Sequence, residues 1–363
     1  MRVRFSDVLN IINGKNQKQV ENPNGKYPIY GSGGIMGYAD SYICEPNTVI
    51  IGRKGSINKP IYVEVPFWNV DTAFGLYADK SKLIPKYLYY FCEKFDFEKL
   101  STTVTIPSLT KANLLDIEMQ LPPLDEQYRI VGVLDKVCGL IVKRQSQLNM
   151  LDELVKSRFI EMFGDPVQNP KGWVKKPFLS MGNCKNGMNF HYEDVGIEIH
   201  CLGVGDFKDL TVIDNAEKLP KVSLNKMPSE EYLLKDGDIV FVRSNGNKAL
   251  VGRSVAVYPS NVPTTFSGFC IRYRKTDDAI LAPYLLRVLK ADSMRQKMVG
   301  RGANIQNLNQ QILETLEIPV PSIELQNQFA AFVQQTDKLE LAVQKSLEKL
   351  EILKKSLMQQ YFG

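Results

Sequence analysis

The chain has 363 residues, 44% of them hydrophobic and 23% charged, with a net charge of +5 and a pI near 8.7. That length is too great for one ordinary core and calls for two domains or more. The balance is that of a soluble globular protein, basic enough to permit an anionic partner without demanding one. No apolar run reaches the length of a bilayer span, and Met1–Asp7 is too charged to open a secretory leader. Six cysteines (Cys44, Cys92, Cys138, Cys184, Cys201, Cys270) are scattered without Cys-x-x-Cys spacing and read as reduced thiols of a cytoplasmic protein.

Residues 1–105 are rich in glycine and β-branched residues. Apolar runs at Thr48–Ile51 and Ile61–Val65 lie between turn signals and read as strands. Gly31-Ser32-Gly33-Gly34 reads as a turn, because a dinucleotide loop needs a helix next and Ile35-Met36-Gly37-Tyr38 does not begin one. Pro85–Phe95 predicts a short helix, with proline in the first turn. A long helix follows over 124–162, stopped by Gly164 with Pro166 behind it. Residues 165–304 form a second, different block, with strands expected at Asp238–Arg243, Ser254–Tyr258 and Phe269–Tyr273 and a helix at Pro283–Met294. A second long helix spans 323–361.

The most constraining pattern is a repeat. Ile106–Gly164 lies over Ile305–Gly363 at a constant shift of 199 without a gap, and fifteen of the 59 positions are identical, Gln127, Leu148, Leu151, Phe163 and Gly164 among them. The chain is therefore variable block, helix, variable block, helix. A 4-3 spacing from Ile130 to Met162 is apolar at eight of ten positions, and its shifted copy at seven, as in helices that supercoil on one another. Leu339, Val343, Leu350, Leu353 and Leu357 fit a competing register in the second helix, so the pairing stays open. About 38 residues at roughly 1.5 Å each make a rod of about 57 Å. Similar halves pack about a pseudo-twofold axis, which predicts antiparallel helices with one block at each end.

Each block carries a strand that leads into a basic turn. The first is Val49–Ser56, with Arg53, Lys54 and Ser56; the second is Ile239–Lys248, with Arg243, Ser244, Asn245, Asn247 and Lys248. Arginine and asparagine make bidentate contacts to base edges, while lysine and serine suit phosphates. A solvated hairpin turn that happens to be basic explains them equally well. Lys15–Lys18, Lys175–Lys176 and Arg295–Asn304 are further basic or amide-rich surfaces, and Tyr30, Tyr38, Trp68 and Phe74 are aromatics for which core packing is the default. Ser101–Thr105 and Gly300–Asn304 are equivalent small, polar stretches, each read as a hinge or as a loop meeting DNA. No P-loop, no Asn-Pro-Pro-Tyr or Asp-Pro-Pro-Tyr tetrapeptide and no zinc spacing around His191 or His200 is present.

With Tyr27–Tyr38, Val49–Ser56, Phe67–Ala73, Leu121–Gln127 and Ile318–Gln326 in view, the chain resembles the specificity subunits of type I restriction-modification systems over essentially its whole length. The resemblance implies an α+β fold: two mixed α/β target recognition domains (1–105 and 165–304) separated by two long antiparallel conserved helices (106–164 and 305–363) in a coiled coil, with a pseudo-twofold internal repeat. It implies a non-catalytic subunit that reads a bipartite asymmetric site in double-stranded DNA. Two methyltransferase subunits would dock on the helices, with two ATP-driven restriction subunits as further expected partners. S-adenosylmethionine, and ATP with magnesium, would bind in those partners and no cofactor in this chain. The expected DNA-facing residues are Gly31, Ser32, Gly33, Arg53, Lys54, Ser56, Trp68 and Asn69 in the first block, and Arg243, Ser244, Asn245, Asn247, Lys248, Arg301 and Asn304 in the second. The second block lacks a recognisable counterpart of the Tyr30–Gly34 segment. The rival readings are a coiled-coil adaptor whose heads bind proteins, and an enzyme using Gly31–Gly34 for a nucleotide or S-adenosylmethionine.

Overall fold

The computed structural model describes residues 1–54, 56–100, 108–190, 196–207, 211–299 and 307–363, all but the Lys248 side chain. They form two compact units, Met1–Gln147 with Val343–Gly363, and Leu148–Ala342. The expected hinge stretches Ser101–Thr105 and Gly300–Asn304, and with the latter Arg301 and Asn304, lie outside the described residues.

The first unit contains, in order, β1 (Arg2–Arg4), α1 (Phe5–Val8), β2 (Leu9–Asn13), β3 (Tyr27–Gly31), β4 (Gly34–Ala39), β5 (Thr48–Gly52), β6 (Ile61–Val63), β7 (Trp68–Asn69), β8 (Ala73–Ala78), α2 (Pro85–Lys94), α3 (Lys111–Leu115), β9 (Glu118–Gln120) and the start of α4 (Leu124–Phe163). A four-stranded sheet runs β2-β8-β5-β6, a three-stranded sheet runs β4-β3-β7, and β1 pairs with β9. All five residues of β5 are buried, as befits a central strand with both faces covered. Phe5, Leu76, Leu88, Phe97 and Leu134 are among the core residues at zero exposure.

The second unit continues through β10 (Lys175–Pro177), β11 (Gly182–Asn186), β12 (Ile197–Leu202), β13 (Val212–Ile213), β14 (Lys221–Leu224), β15 (Asp238–Val242), β16 (Ser254–Val257), β17 (Thr264–Phe266), β18 (Cys270–Lys275), α5 (Ala282–Lys290), α6 (Asp292–Val299), α7 (Gln310–Glu314), β19 (Glu317–Pro319) and α8 (Ile323–Phe362). Its sheets run β11-β18-β15-β16-β13 and β14-β12-β17, with β10 on β19. The single helix expected at Pro283–Met294 is two: α5 ends at Lys290, and Ala291 takes an extended conformation (ψ 137°) before α6.

The two units are built alike. β5 faces β8 with Val49 opposite Leu76, and β15 faces β18 with Ile239 opposite Tyr273. A buried glutamine clamps each. Gln127 accepts from Ile84 N (2.8 Å) and donates to Lys82 O and Pro122 O (2.9 Å each). Gln326, its partner in the repeat, accepts from Leu281 N (2.8 Å) and donates to Ala279 O and Pro321 O (2.9 Å each). Both satisfy the backbone just ahead of a proline-capped helix, groups that burial would otherwise orphan.

Each 40-residue helix is about 60 Å long at roughly 1.5 Å per residue. In the first unit Ile130, Val131 and Leu134 of α4 share a core with Leu357, Met358 and Phe362 of α8. In the second, Val155, Phe159 and Phe163 share one with Phe329 and Val333. Early residues of one helix thus meet late residues of the other, which is antiparallel pairing. The repeat's own spacing wins the register: Phe329, Val333, Thr336 and Leu347 are buried, whereas Leu339 and Leu353 of the competing one are exposed. The Phe-Gly ends have a packing reason, since Phe163 stacks edge-on to Tyr284 (4.7 Å) and Phe362 lies against Tyr87 (5.0 Å). Gly164 closes α4 in the left-handed region (φ 77°) with its N–H on Ile160 O.

Candidate nucleic-acid interface

Hydrogen bonds bring four strand ends of the first unit together. Val70 N donates to Tyr30 O (3.0 Å), Arg53 N to Thr72 O (2.8 Å) and Lys15 N to Asn69 O (2.8 Å). The turns at Gly14–Lys18, Gly31–Gly34, Arg53–Ser56 and Val70–Thr72 therefore adjoin. Ser32 Cβ lies 2.9 Å from where a Cβ on Gly52 would stand, so the glycine turn presses on the base of the arginine turn, and Gly52 has to be glycine. Arg53 and Lys54 are exposed, and the Arg53 guanidinium sits 5.8 Å from the centre of the Phe74 ring.

The second unit repeats the network. Ser267 N donates to Leu202 O (3.0 Å), Arg243 N to Phe269 O (2.7 Å) and Met188 N to Phe266 O (3.1 Å). Both arginines then accept at the same place, from Leu109 N onto Arg53 O (3.0 Å) and from Leu308 N onto Arg243 O (2.8 Å). Arg53 and Arg243 are thereby structural equivalents. So are Tyr30-Gly31-Ser32-Gly33 and Leu202-Gly203-Val204-Gly205, the counterpart that the sequence did not reveal. Only the Gly-x-Gly spacing survives there. The turn Ser267–Phe269, equivalent to Val70–Thr72, was missed for the same reason. It presents Phe269 at 61% exposure, its carbonyl fixed by Arg243 N and Ser244 N.

Arg243 is half-buried, its Nη1 donating to Gly268 O (3.3 Å). Asn245 Oδ1 accepts from Asn247 N (2.8 Å) and Asn247 Oδ1 from Ala249 N (3.1 Å). Those carbonyls brace the turn. Ser244 is half-buried and bridges to Asn307, as Lys54 bridges to Ser108. Ser56 is half-buried, Gly33 exposed and Gly31 buried. Lys248 opens a short 3-10 turn to Leu250.

Two of the expected site residues are buried behind the turns. Trp68 is 8% exposed with its indole N–H on Lys15 O (2.9 Å), and Asn69 has zero exposure with Nδ2 on Ala73 O (3.1 Å). Both brace the turns from within. Of the other aromatics, Phe74 is buried and Tyr30 packs on Phe67, while Tyr38 is exposed. The lysine pair is likewise engaged: Lys175 donates to Val167 O (3.0 Å) and Lys176 to Asp277 (2.8 Å). Arg295 donates to Ala249 O and Val251 O beneath the second arginine turn.

Burial pushes the Cys44, Cys184 and Cys201 thiols up to about 12, so they stay protonated near neutral pH. His200 Nδ1 lies 2.9 Å from Leu219 O within its sheet. Among the described residues no cluster of His, Cys, Asp or Glu could hold a metal ion, and no helix is long and apolar enough to cross a membrane.

A family model described as the type I restriction modification DNA specificity domain matches residues 1–150 and 204–352. The chain belongs to that family and carries its DNA sequence-specificity domain twice. It is similar to the type I restriction enzyme StySPI specificity subunit of Salmonella potsdam (23% identity over 89% of this chain and 75% of the relative). It is also similar to the MjaVIII specificity subunit of Methanocaldococcus jannaschii (22% over 98% and 90%). In fold it is similar to the type I restriction-modification S subunit of M. genitalium, with a TM-score of 0.64 and 17% identity over 100% of this chain and 96% of that one.

Proposed function

We propose that each unit reads one half of a bipartite, asymmetric site in double-stranded DNA through its four adjoining turns. Arg53 and Lys54 face DNA in the first unit; Arg243, Asn245, Asn247 and Lys248 do so in the second. Ser32, Ser56 and Ser244 line the same turns, as does the Gly31–Gly33 backbone; Arg301 and Asn304, outside the described residues, are further DNA-facing candidates on sequence grounds. The observation that carries this reading is the equivalence of Arg53 and Arg243. Two units of different surface sequence fix an arginine at one place by the same two backbone hydrogen bonds. Arginine is the commonest bidentate reader of guanine.

The subunit does no chemistry itself. The long helices set the spacing between half-sites and dock two methyltransferase subunits, which bind S-adenosylmethionine; two ATP- and magnesium-dependent restriction subunits complete a cutting complex. The exposed apolar residues Val142, Met150, Leu154, Leu339, Leu341 and Ile352 on the two helices suit such docking.

The test uses the subunit co-expressed with its methyltransferase. Arg53→Ala should relax one half of the methylated sequence and Arg243→Ala the other. Each should weaken binding by about 1–3 kcal/mol. A steep fall of affinity with salt is expected from phosphate neutralisation. A salt-independent interaction, or methylated sites unchanged in both variants, refutes the reading.

A further inference from the structure

In these turns the two units share glycines at three equivalent places, Gly14/Gly187, Gly31/Gly203 and Gly33/Gly205, and only the last pair has no neighbour on either unit. Gly14 and Gly187 are forced. A Cβ would stand 1.8 Å from Val70 O in the first unit and 2.0 Å from Ser267 O in the second, the same carbonyl by position. Gly33 and Gly205 follow the equivalent residues Tyr30 and Leu202 by three positions, and both are exposed. Neither takes a positive φ, and no atom beyond the chain neighbours lies within 4 Å of where their Cβ would be. Nothing in the fold asks for glycine there. Their neighbours differ: Ser32 stands opposite Val204, and Gly34, at φ 118°, opposite Asp206. Asp206, the one charge on the second turn, folds back onto Gly203 N–H (2.8 Å) and leaves the outer edge of that turn to the backbone.

A position kept bare in both units, without an internal reason, points to something outside that comes too close for a side chain. Both turns stand next to the arginine turns. We propose that Gly33 and Gly205 are where the backbone of each unit seats against the sugar–phosphate backbone of the DNA. The missing Cβ lets the peptide approach the phosphates, which take main-chain N–H groups as readily as side chains. This contact carries no base information; it sets the depth at which Arg53 and Arg243 enter the groove. The inference rests on the DNA reading given above.

The experiment uses the subunit assembled with its methyltransferase and a synthetic duplex carrying a sequence that the wild-type complex methylates. Gly33→Ala and Gly205→Ala are made singly and together. Both methyl groups fit the free protein, so melting temperatures should equal that of the wild type. Affinity should fall about ten- to a hundredfold for each, the loss of a charge-assisted backbone contact. The methylated sequence should stay the same, and protection of phosphates from ethylation should be lost beside one half-site per variant. Wild-type affinity in both variants overturns the proposal while the DNA reading stands. A lowered melting temperature also overturns it, by giving the glycines a folding role. Failure of the wild-type complex itself to bind or methylate DNA overturns the reading on which both depend.

Discussion

Replacing Gln127 by leucine tests whether the glutamine clamps hold the units together. The side chain has zero exposure and satisfies three backbone groups: Ile84 N–H, Lys82 C=O and Pro122 C=O. Leucine fills the space but serves none of them. Each orphaned buried group costs about 1–3 kcal/mol, and part of that is recovered where the backbone relaxes toward solvent. The expected loss is about 3–5 kcal/mol, a large share of the stability of an ordinary domain. The chain has two tryptophans, Trp68 in the first unit and Trp173 in the second, so urea unfolding can be followed unit by unit after changing either to phenylalanine. Gln127→Leu should shift the Trp68 transition, and Gln326→Leu should shift the Trp173 transition by a similar amount. A loss below about 1 kcal/mol at either position refutes the claim that these bonds fix the unit.

Further outcomes are measurable in the same way. Asp238 is 1% exposed and takes both Arg274 Nε (2.8 Å) and Nη2 (2.7 Å), so Asp238→Asn should cost about 3–5 kcal/mol by stranding a guanidinium; a midpoint within error of wild type would exclude that role. Gly14→Ala should unfold the first unit or displace Val70, whereas its neighbour Gly33→Ala should leave the melting temperature alone; the contrast fails if both behave alike. Lys290 is held down from 10.5 to about 8, chiefly by burial and then by Arg287, against the pull of Asp152. Between pH 8 and 10.5 Lys290 binds more protons in the unfolded chain, so its own contribution to the second unit's stability grows with pH, against the loss contributed by Cys184 and Cys201, whose folded pKa is raised. Lys290→Met should remove that contribution and make stability fall more steeply with pH than in the wild type, and an identical slope in the variant would contradict it.

The repeat and the long helices were legible because heptad spacing and the 199-residue shift survive side-chain divergence. Their boundaries came within one residue, Leu124–Phe163 and Ile323–Phe362. The strands Thr48–Gly52 and Asp238–Val242 were legible as apolar runs for the same reason. What stayed hidden depends on contacts far apart in sequence. Trp68 and Asn69 have the chemistry of base readers, and only the hydrogen bonds to Lys15 O and Ala73 O turn them inward. The helix expected over Pro283–Met294 breaks at Ala291, where no proline or glycine warns of it. Leu202–Gly205 shares only a Gly-x-Gly with its counterpart, and its identity rests on Ser267 N reaching Leu202 O.

The division between what repeats and what varies follows burial. Gln127 and Gln326, Tyr87 and Tyr284, Gly14 and Gly187 serve buried backbone or fill tight contacts, and any substitution there leaves an unpaired group or a clash. The exposed turn positions carry no such penalty, Gly268 excepted, where a Cβ would stand 2.0 Å from Asn189 Oδ1. Lys54 corresponds to Ser244, Asp71 to Gly268 and Thr72 to Phe269, each pair differing in charge, size or polarity on an unchanged hydrogen-bonded frame. An exposed phenylalanine in place of threonine suits a thymine methyl better than a polar base edge. Two copies of one frame can thus present unlike surfaces, the physical requirement for reading an asymmetric sequence. An exchange confined to Thr72 and Phe269, both exposed, should alter what is read without altering how the units fold.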